Sequence, residues 1–412
     1  MNLLLFKKHF IKTLSIFIFL LIFLKSNKNK NDGIKPNKDT VYSEEKFDSY
    51  IEAFNKSRNF LDKNMKGILI EKIHHPTSKN NPKISAVVPC YNCKDYLLRS
   101  IRSIQNQNFS DLEIVVVNDN SANDTLSFIQ SLQIEDERIK LINNKKNMGT
   151  LYTRTIGTLS SKGKYIFPFD SDDMFLDRDV FWKIYRIAEE GDFDIVIFDF
   201  ITTDLLPDIY SPQLKFQPFK VDRKPYLVLF QPELSYHPIR PSNNNIRNVE
   251  ILIFARCVKA DIYKQALNKL GTERYSRFMH LVEDIINNFM IFNTAKSMKY
   301  VPKFGYLYIQ RKQSQSHLPL SAVQFLIYRF YLLDILIEYS QDSFSHKKIV
   351  VQLIYFCLGN KNLKTALDRD IYNYKLFISC LKRTFSNKYI SDNDKNEIKK
   401  RLKALNFINY YI

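Results

Sequence analysis

Residues 84–92 read ISAVVPCYN, residues 112–121 LEIVVVNDNS and residues 165–173 YIFPFDSDD. Each is a short apolar run that ends in polar residues, and that order decides the fold. Ile84–Val88, stopped by Pro89, and Leu112–Val117 are too short for helices and rich in β-branched residues, so they predict buried strands. Between them Tyr96, Leu97, Leu98, Ile101 and Ile104 recur at helical spacing, and Leu126–Leu132 continues a helix begun by the capping residues of Ser121–Asp124. The alternation goes on: strand at Ile139–Ile142, helix at Gly149–Leu159, strand at Tyr165–Phe169, helix at Val180–Glu190, strand at Asp194–Phe200. Strands alternating with helices of this length predict an α/β fold with a mostly parallel, doubly wound sheet. Their continuous apolar runs agree, since such strands are covered on both faces.

Outward from this block the texture changes. Residues 203–249 are rich in Pro, Asn and Gln and read as an insertion. Strand and helix signals return at Ile251–Leu270 and Leu281–Ile291. From Leu320 onward the pattern is mostly helical, at Val323–Tyr339, Ile349–Leu358, Tyr374–Phe385 and Lys395–Leu405. The Tyr/Phe stripe of 323–339 reads as core. Residues 26–83 are polar and charged and read as a stem. The organisation predicted is an N-terminal segment 1–25, a stem 26–83, a catalytic domain 84–318 and a helical C-terminal region 319–412.

The chain of 412 residues has 45% hydrophobic and 25% charged residues, which excludes general disorder, and 9 Gly, which excludes a collagen-like chain. Its +18 charge lies in the flanks: residues 1–83 hold 16 Lys/Arg against 8 Asp/Glu, residues 342–412 hold 14 against 6, and 84–341 holds 31 against 29. A near-neutral centre with basic flanks suits an enzyme core, and nucleic acid is disfavoured as a partner. Five cysteines are too few for a disulfide scaffold. Cys90-Tyr-Asn-Cys93 spells C-x-x-C, but no second pair stands at zinc spacing, so the two read as incidental small residues in a loop.

Lys7, Lys8 and Lys12 precede the apolar run Thr13–Leu24, the order of a secretory signal. From Phe10 the run would extend about 22 Å as a helix, against an ER hydrocarbon of about 27 Å. No small-x-small cleavage site follows. The expectation is an uncleaved signal anchor, a single-pass type II membrane protein of the ER or Golgi with a lumenal catalytic domain; a cleaved signal peptide and a soluble amphipathic element are the alternatives.

In an open α/β sheet, ligands sit beyond the carboxyl ends of the strands. Three polar groups fall there: Pro89-Cys-Tyr91-Asn92, Asn118-Asp119-Asn-Ser121 and Asp170-Ser171-Asp172-Asp173. Three carboxylates within four residues repel one another, and a divalent cation removes that penalty. Oxygen-only ligands suit Mg²⁺ or Mn²⁺, which take their remaining ligands from phosphates and water, so a diphosphate substrate follows. No G-x-G-x-x-G or G-x-x-x-x-G-K-[ST] occurs, so side chains such as Asp119 would have to read a nucleotide. His280 and His317 read as surface or packing residues.

Four stretches together, AVVPCYNCKDYL, EIVVVNDNSANDT, NMGTLYTRTIGTLSSKGKYIFPFDSDD and LVEDIINNF, resemble the family 2 glycosyltransferases with the GT-A fold over roughly residues 84–315. The resemblance implies a membrane-anchored, inverting, metal-dependent hexosyltransferase. It would take a nucleotide-sugar donor, UDP-linked, and a glycan, protein or lipid acceptor. It implies that Asp119 binds the donor base near Pro89, Tyr91 and Asn92, and that Arg154 lines the nucleotide site. Asp170 and Ser171 would lie near the ribose, and Asp172, with Asp170, would ligate Mn²⁺ or Mg²⁺. Asp284, after Glu283, would be the general base, and Tyr306–Ser316 would close the acceptor side. Asn118 stands where the family often has Asp, and Thr155 where it has Asn. Two other readings share the fold: a nucleotidyltransferase, which would usually carry a Gly-rich phosphate loop after the first strand, and an inactive sugar- or nucleotide-binding protein.

Overall fold

The computed structural model describes residues 82–122, 124–175, 178–203, 252–279, 281–309, 322–339, 344–388 and 390–405. They fall into two compact units, 82–309 and 322–405. The first runs β1 (Ile84–Cys90), α1 (Lys94–Gln105), β2 (Leu112–Asn118), α2 (Thr125–Glu135), β3 (Ile139–Asn143), α3 (Thr150–Ser160), β4 (Tyr165–Pro168), β5 (Met174–Phe175), α4 (Val180–Glu190), β6 (Ile195–Thr203), β7 (Arg256–Lys259), α5 (Ala260–Leu270), α6 (Thr272–Tyr275), α7 (Glu283–Phe292) and β8 (Met298–Ile309).

The described strands make one sheet in the order β3-β2-β1-β4-β7-β6-β8-β5. β1 pairs parallel with β2 and β4, β2 with β3, and β6 with β8. β7 is antiparallel to β4 and β6, and β5 to β8. The sheet is mostly parallel with flanking helices, as the alternation predicts. Because β1, β2 and β4 are parallel neighbours, with Cys90 opposite Asn118 and Val87 opposite Pro168, their carboxyl ends share one edge.

Every residue of β1 and β2 is buried, as strands covered on both faces should be. On one side α1 inserts Leu97, Ile101 and Ile104, all buried, each stabilising by roughly 1.5–3 kcal/mol. On the other side α3 comes close through Gly157, where a Cβ would stand 2.7 Å from Val87 Cγ1 and 2.9 Å from Val117 Cγ2. Around β4 the core is aromatic: Phe167 packs on Phe181 at 4.6 Å, Phe169 on Phe175 at 4.9 Å and on Tyr306 at 5.2 Å between ring centroids.

β8 is not legible in the sequence, because Pro302 and Gly305 argue against a strand. The ladder accommodates them by a register shift: Phe198 lies opposite Val301, but Asp199 lies opposite Phe304, so 302–303 bulge out. A second correction concerns the C-x-x-C. Cys90, at the end of β1, and Cys93, before α1, are joined by a disulfide, so they staple a turn rather than sit in it by accident.

The second unit is helical, as expected: α8 (Ala322–Tyr339), α9 (Phe344–Leu358), α10 (Leu363–Asp368), α11 (Ile371–Ser386) and α12 (Asp392–Ala404). Tyr328, Phe330, Ile354, Cys357, Phe377 and Cys380 are wholly buried in it, which makes part of the aromatic stripe core. Arg383 ties α11 to α8 through Asp334 and Glu338.

Among the described residues no helix is long and apolar enough to cross a membrane. The expected placement as a type II protein of the ER or Golgi finds no spanning helix among them. The N-terminal segment 1–25, the stem to residue 81, His280 and His317 lie outside the described residues.

Candidate active site

The first two edge loops are bonded to each other. Asn92, in the left-handed region at φ 51°, donates its backbone N–H to Ser121 Oγ at 2.9 Å and accepts from the Ala122 N–H at 3.0 Å. Ser121 Oγ donates to Asn118 Oδ1 at 2.6 Å, and Asn118 Nδ2 donates to Asn143 Oδ1 at 2.6 Å. An aspartate at 118 could not donate that last bond, which accounts for the amide here. Tyr91 is exposed at the rim. Pro89 is buried within β1, opposite Val117, so its ring is covered and the open edge begins at Tyr91.

Asp119 is only 3% exposed. Its carboxylate accepts from Asn144 Nδ2 at 2.8 Å, the Met148 N–H at 2.9 Å and the Gly149 N–H at 2.8 Å. These three bonds fix the turn before α3, and base reading by Asp119 stays what the resemblance implies. Gly149 makes that turn possible: its φ is +84°, and a Cβ would stand 2.6 Å from the Met279 carbonyl oxygen.

The acidic cluster divides. Asp173 is wholly buried, accepting from Tyr306 Oη and the Ile309 N–H, each at 2.8 Å. It anchors β8 and does not face the edge, so the picture of three mutually repelling edge carboxylates is corrected to two. Burial, then the charges of Asp172 and Asp170, push the Asp173 carboxyl well above its ordinary value. Asp170 and Asp172 are half-buried at the edge. α1 pins their turn: Ser100 Oγ donates to the Ser171 carbonyl at 2.8 Å, and Arg99 Nη2 donates to the Asp172 carbonyl at 3.1 Å. Arg154, 1% exposed on α3, donates Nη2 to Asp170 Oδ1 at 2.6 Å, a short charge-assisted bond. Among the described residues no group of three or more His, Cys, Asp or Glu is placed to hold a metal ion.

The third part comes from far along the chain. Val282 precedes α7 in the left-handed region at φ 73°, an outlier for a β-branched residue. It turns the chain so that Glu283 and Asp284 open the helix. Burial pushes Glu283 up to about 8, with the Asp284 charge adding to the rise and Arg154 opposing it. Burial pushes Asp284 up to about 7; Arg154 opposes, Asp170 adds, and the Ile253 N–H and Arg256 oppose. Asp284 Oδ1 is buried with no hydrogen-bond partner. The fields of Asp170 and Asp284 both act on the Arg154 guanidinium, raising its pKa while burial lowers it. Residues 154, 170 and 284 therefore lie within one another's fields.

Asp284 is thus a half-buried carboxyl with one buried, unpartnered oxygen, in the field of an acidic, arginine-balanced strand edge. Residues 85–255 match the family model described as Glycosyl transferase family 2. That segment is thus similar to glycosyltransferase family 2. An uncharacterized glycosyltransferase of Haemophilus influenzae is 42% identical over 96 residues, 23% of this chain and 30% of that protein. The GalNAc(5)-diNAcBac-PP-undecaprenol beta-1,3-glucosyltransferase of Campylobacter jejuni is 42% identical over 96 residues, 23% of this chain and 31% of that one. The crystal structure of S. aureus TarS 1-349 in complex with UDP-GlcNAc is 14% identical with a TM-score of 0.49, covering 80% of this chain and 93% of that one. The chain spans under a third of the length of these two curated relatives. Both come from bacteria, cells without ER or Golgi, and this corrects the expected ER or Golgi placement.

Several groups of this region carry no signal in the sequence. Tyr306 bridges Asp173 and the Asp170 backbone N–H, which donates to its hydroxyl at 3.1 Å, and stacks on Phe254 at 4.7 Å. Arg99, Tyr263 and Arg256 are buried polar residues whose partners lie on other elements. Only a fold brings those partners together.

Proposed function

We propose that this chain is an inverting glycosyltransferase that moves a hexose from a nucleoside-diphosphate sugar, UDP-linked, to an acceptor hydroxyl. The observation that carries it is Asp284 Oδ1, a buried acceptor atom without a partner, in the field of Arg154 and Asp170. A carboxyl raised to about 7 is suited to take a proton near neutral pH. In this reading the acceptor hydroxyl attacks the anomeric carbon from the face opposite the nucleotide. Asp284 takes the hydroxyl proton, the bond from the anomeric carbon to the diphosphate oxygen breaks, and the configuration inverts. Arg154 and Asp170 hold the rim on the donor side, Ser171 and Tyr91 border it, and Glu283 is a proton-holding neighbour. The acceptor is a glycan, protein or lipid hydroxyl.

Two edge carboxylates are a hard-oxygen set that suits a cation taking its other ligands from phosphates and water. Asp172, with the free side of Asp170, would hold Mn²⁺ or Mg²⁺. Such an ion would supply neutralisation of the leaving diphosphate.

The test is a screen of nucleotide-sugars, UDP-linked first, for release of nucleoside diphosphate by the full chain. Asp284→Asn should keep donor binding and lose at least 10²-fold in release. Near-normal release by that variant would move the base elsewhere, Glu283 first. Asp172→Ala should lose Mn²⁺-dependent UDP affinity in calorimetry; unchanged affinity would remove the metal role.

A further inference from the structure

The acidic turn after β4 is held by a strand far along the chain. Tyr306, on β8, is 1% exposed. Its hydroxyl accepts from the Asp170 N–H at 3.1 Å and donates to Asp173 Oδ2 at 2.8 Å. Asp173 Oδ1 accepts from the Ile309 N–H at 2.8 Å, so both oxygens of that carboxylate are bonded to β8. The Asp173 N–H donates to the Asp170 carbonyl at 3.1 Å and closes the turn on itself. One tyrosine oxygen therefore bridges the first and last residues of the turn, while α1 holds the Ser171 and Asp172 carbonyls. These bonds run to the backbone and to Asp173, so they set where the Asp170 and Asp172 side chains leave the chain. β8 is shaped for this reach. Phe198 lies opposite Val301 and Phe200 opposite Tyr306. A regular ladder would put residue 303 opposite Phe200 and leave Tyr306 on the other face. The irregular stretch before Tyr306 turns its ring onto the face of Phe254, Phe169 and Phe175, at 4.7, 5.2 and 6.0 Å between centroids.

We propose that Tyr306 is a positioning residue: by joining the Asp170 N–H to the Asp173 carboxylate it ties the strand-edge turn to β8 and sets where the Asp170 and Asp172 carboxylates stand toward a diphosphate and its cation. This rests on those two carboxylates being the cation side of the donor site. The peptide between Phe169 and Asp170 is planar and is gripped at both ends, its N–H by Tyr306 and its carbonyl by Arg154 Nη1 at 3.5 Å. The ring of Tyr306 alone cannot do this. Phenylalanine would keep the packing on Phe254, Phe169 and Phe175, but it would leave the Asp170 N–H without its acceptor and Asp173 Oδ2 without its donor. Arg154 Nη2 on Asp170 Oδ1 and the two grips from α1 would remain. The turn would then stay in place while its first peptide gains freedom to rotate, and the Asp170 side chain with it.

The test uses the full chain and Tyr306→Phe. Amide hydrogen exchange reads the tie without any ligand: the Asp170 amide should exchange roughly tenfold faster, with the strands β1 and β2 unchanged. In calorimetry, UDP affinity with Mn²⁺ should fall roughly 10- to 100-fold, as when a residue that orients metal ligands is removed, while UDP affinity in EDTA stays within about twofold. A role in folding alone would lower both affinities together. Unchanged exchange at Asp170, unchanged affinity with Mn²⁺, or an equal loss with Mn²⁺ and in EDTA would each overturn the proposal. If Tyr306→Phe does not fold, Asp173→Asn decides. It keeps the shape and the acceptor for the Ile309 N–H but gives the Tyr306 hydroxyl no charged acceptor. Faster exchange at Asp170 with weaker Mn²⁺-dependent UDP binding in that variant supports the tie; no change in either overturns it. Asp172→Ala separates the two levels. If it loses Mn²⁺-dependent UDP affinity while Tyr306→Phe keeps it, the tie fails and the cation side stands; if Asp172→Ala keeps that affinity, the cation side fails and the role of Tyr306 with it.

Discussion

Asp284 ionises against its surroundings. An exposed aspartate loses its proton near pH 4, whereas burial holds this one to about 7 and Glu283 to about 8. Between those limits the folded chain binds more protons than the unfolded one, so this pair makes stability fall as pH rises from about 4 to about 8. Chemistry runs the other way. A base works only when ionised, so turnover should rise with pH through an acid limb near 7, shared by the coupled pair. Asp284→Asn removes the buried charge and keeps the shape. Its unfolding free energy should match or exceed wild type at pH 8, by roughly 0.5–2 kcal/mol, and show no gain at pH 4.5, while transfer is lost at both. Thermal melts at the two pH values check the sign; a gain at pH 4.5 alone would contradict it. The pair was visible in the sequence as Glu283-Asp284, but its raised pKa was not, because burial is a property of the folded neighbourhood.

At the scale of elements, two short turns carry the edge formed by the carboxyl ends of the parallel strands. Asp119 and Gly149 close the turn into α3, and the disulfide closes the turn from β1 into α1. Gly149→Ala would force a Cβ onto the Met279 backbone at a φ of +84°, so it should destabilise by about 1–3 kcal/mol and weaken UDP binding. Denaturant melts and calorimetry read both. Closing a four-residue loop is worth about 2 kcal/mol in the chain-entropy account. Dithiothreitol should therefore lower the Tm of the wild-type chain and leave that of Cys93→Ser unmoved; equal sensitivity of the two would mean that the bond is absent in solution. The strand–helix alternation was legible because apolar runs and helical spacing are local signals. The C-x-x-C bond, the inward turn of Asp173 and the tie of Asp119 were not. Each depends on which way a side chain faces in a turn, and turn residues have no periodicity to reveal it. β8 was hidden for a related reason: Pro302 and Gly305 are strand breakers except where a bulge takes them up.

On the scale of the whole molecule, the described chain has two separate cores. One is the sheet with its aromatic cluster around Phe167 and Phe181; the other is helical, with Phe330 and Phe377 packed at 4.8 Å. The composition shift near residue 320 announced the second core, since helical spacing replaces alternation there. What the helices do was not legible, because an amphipathic helix advertises its buried face and not its purpose. Each core buries its own apolar surface, so each should unfold with its own midpoint rather than in one two-state step. Phe377 is wholly buried, and Phe377→Ala should destabilise the helical unit by about 3–5 kcal/mol. Calorimetry should show one transition moving down while the other stays. UDP binding at a temperature below both transitions should be unchanged, because every residue assigned to the donor side lies between 89 and 172. A single transition that shifts as a whole, with UDP affinity falling alongside it, would mean that the two cores stand or fall together and that the helical region supports the donor site energetically.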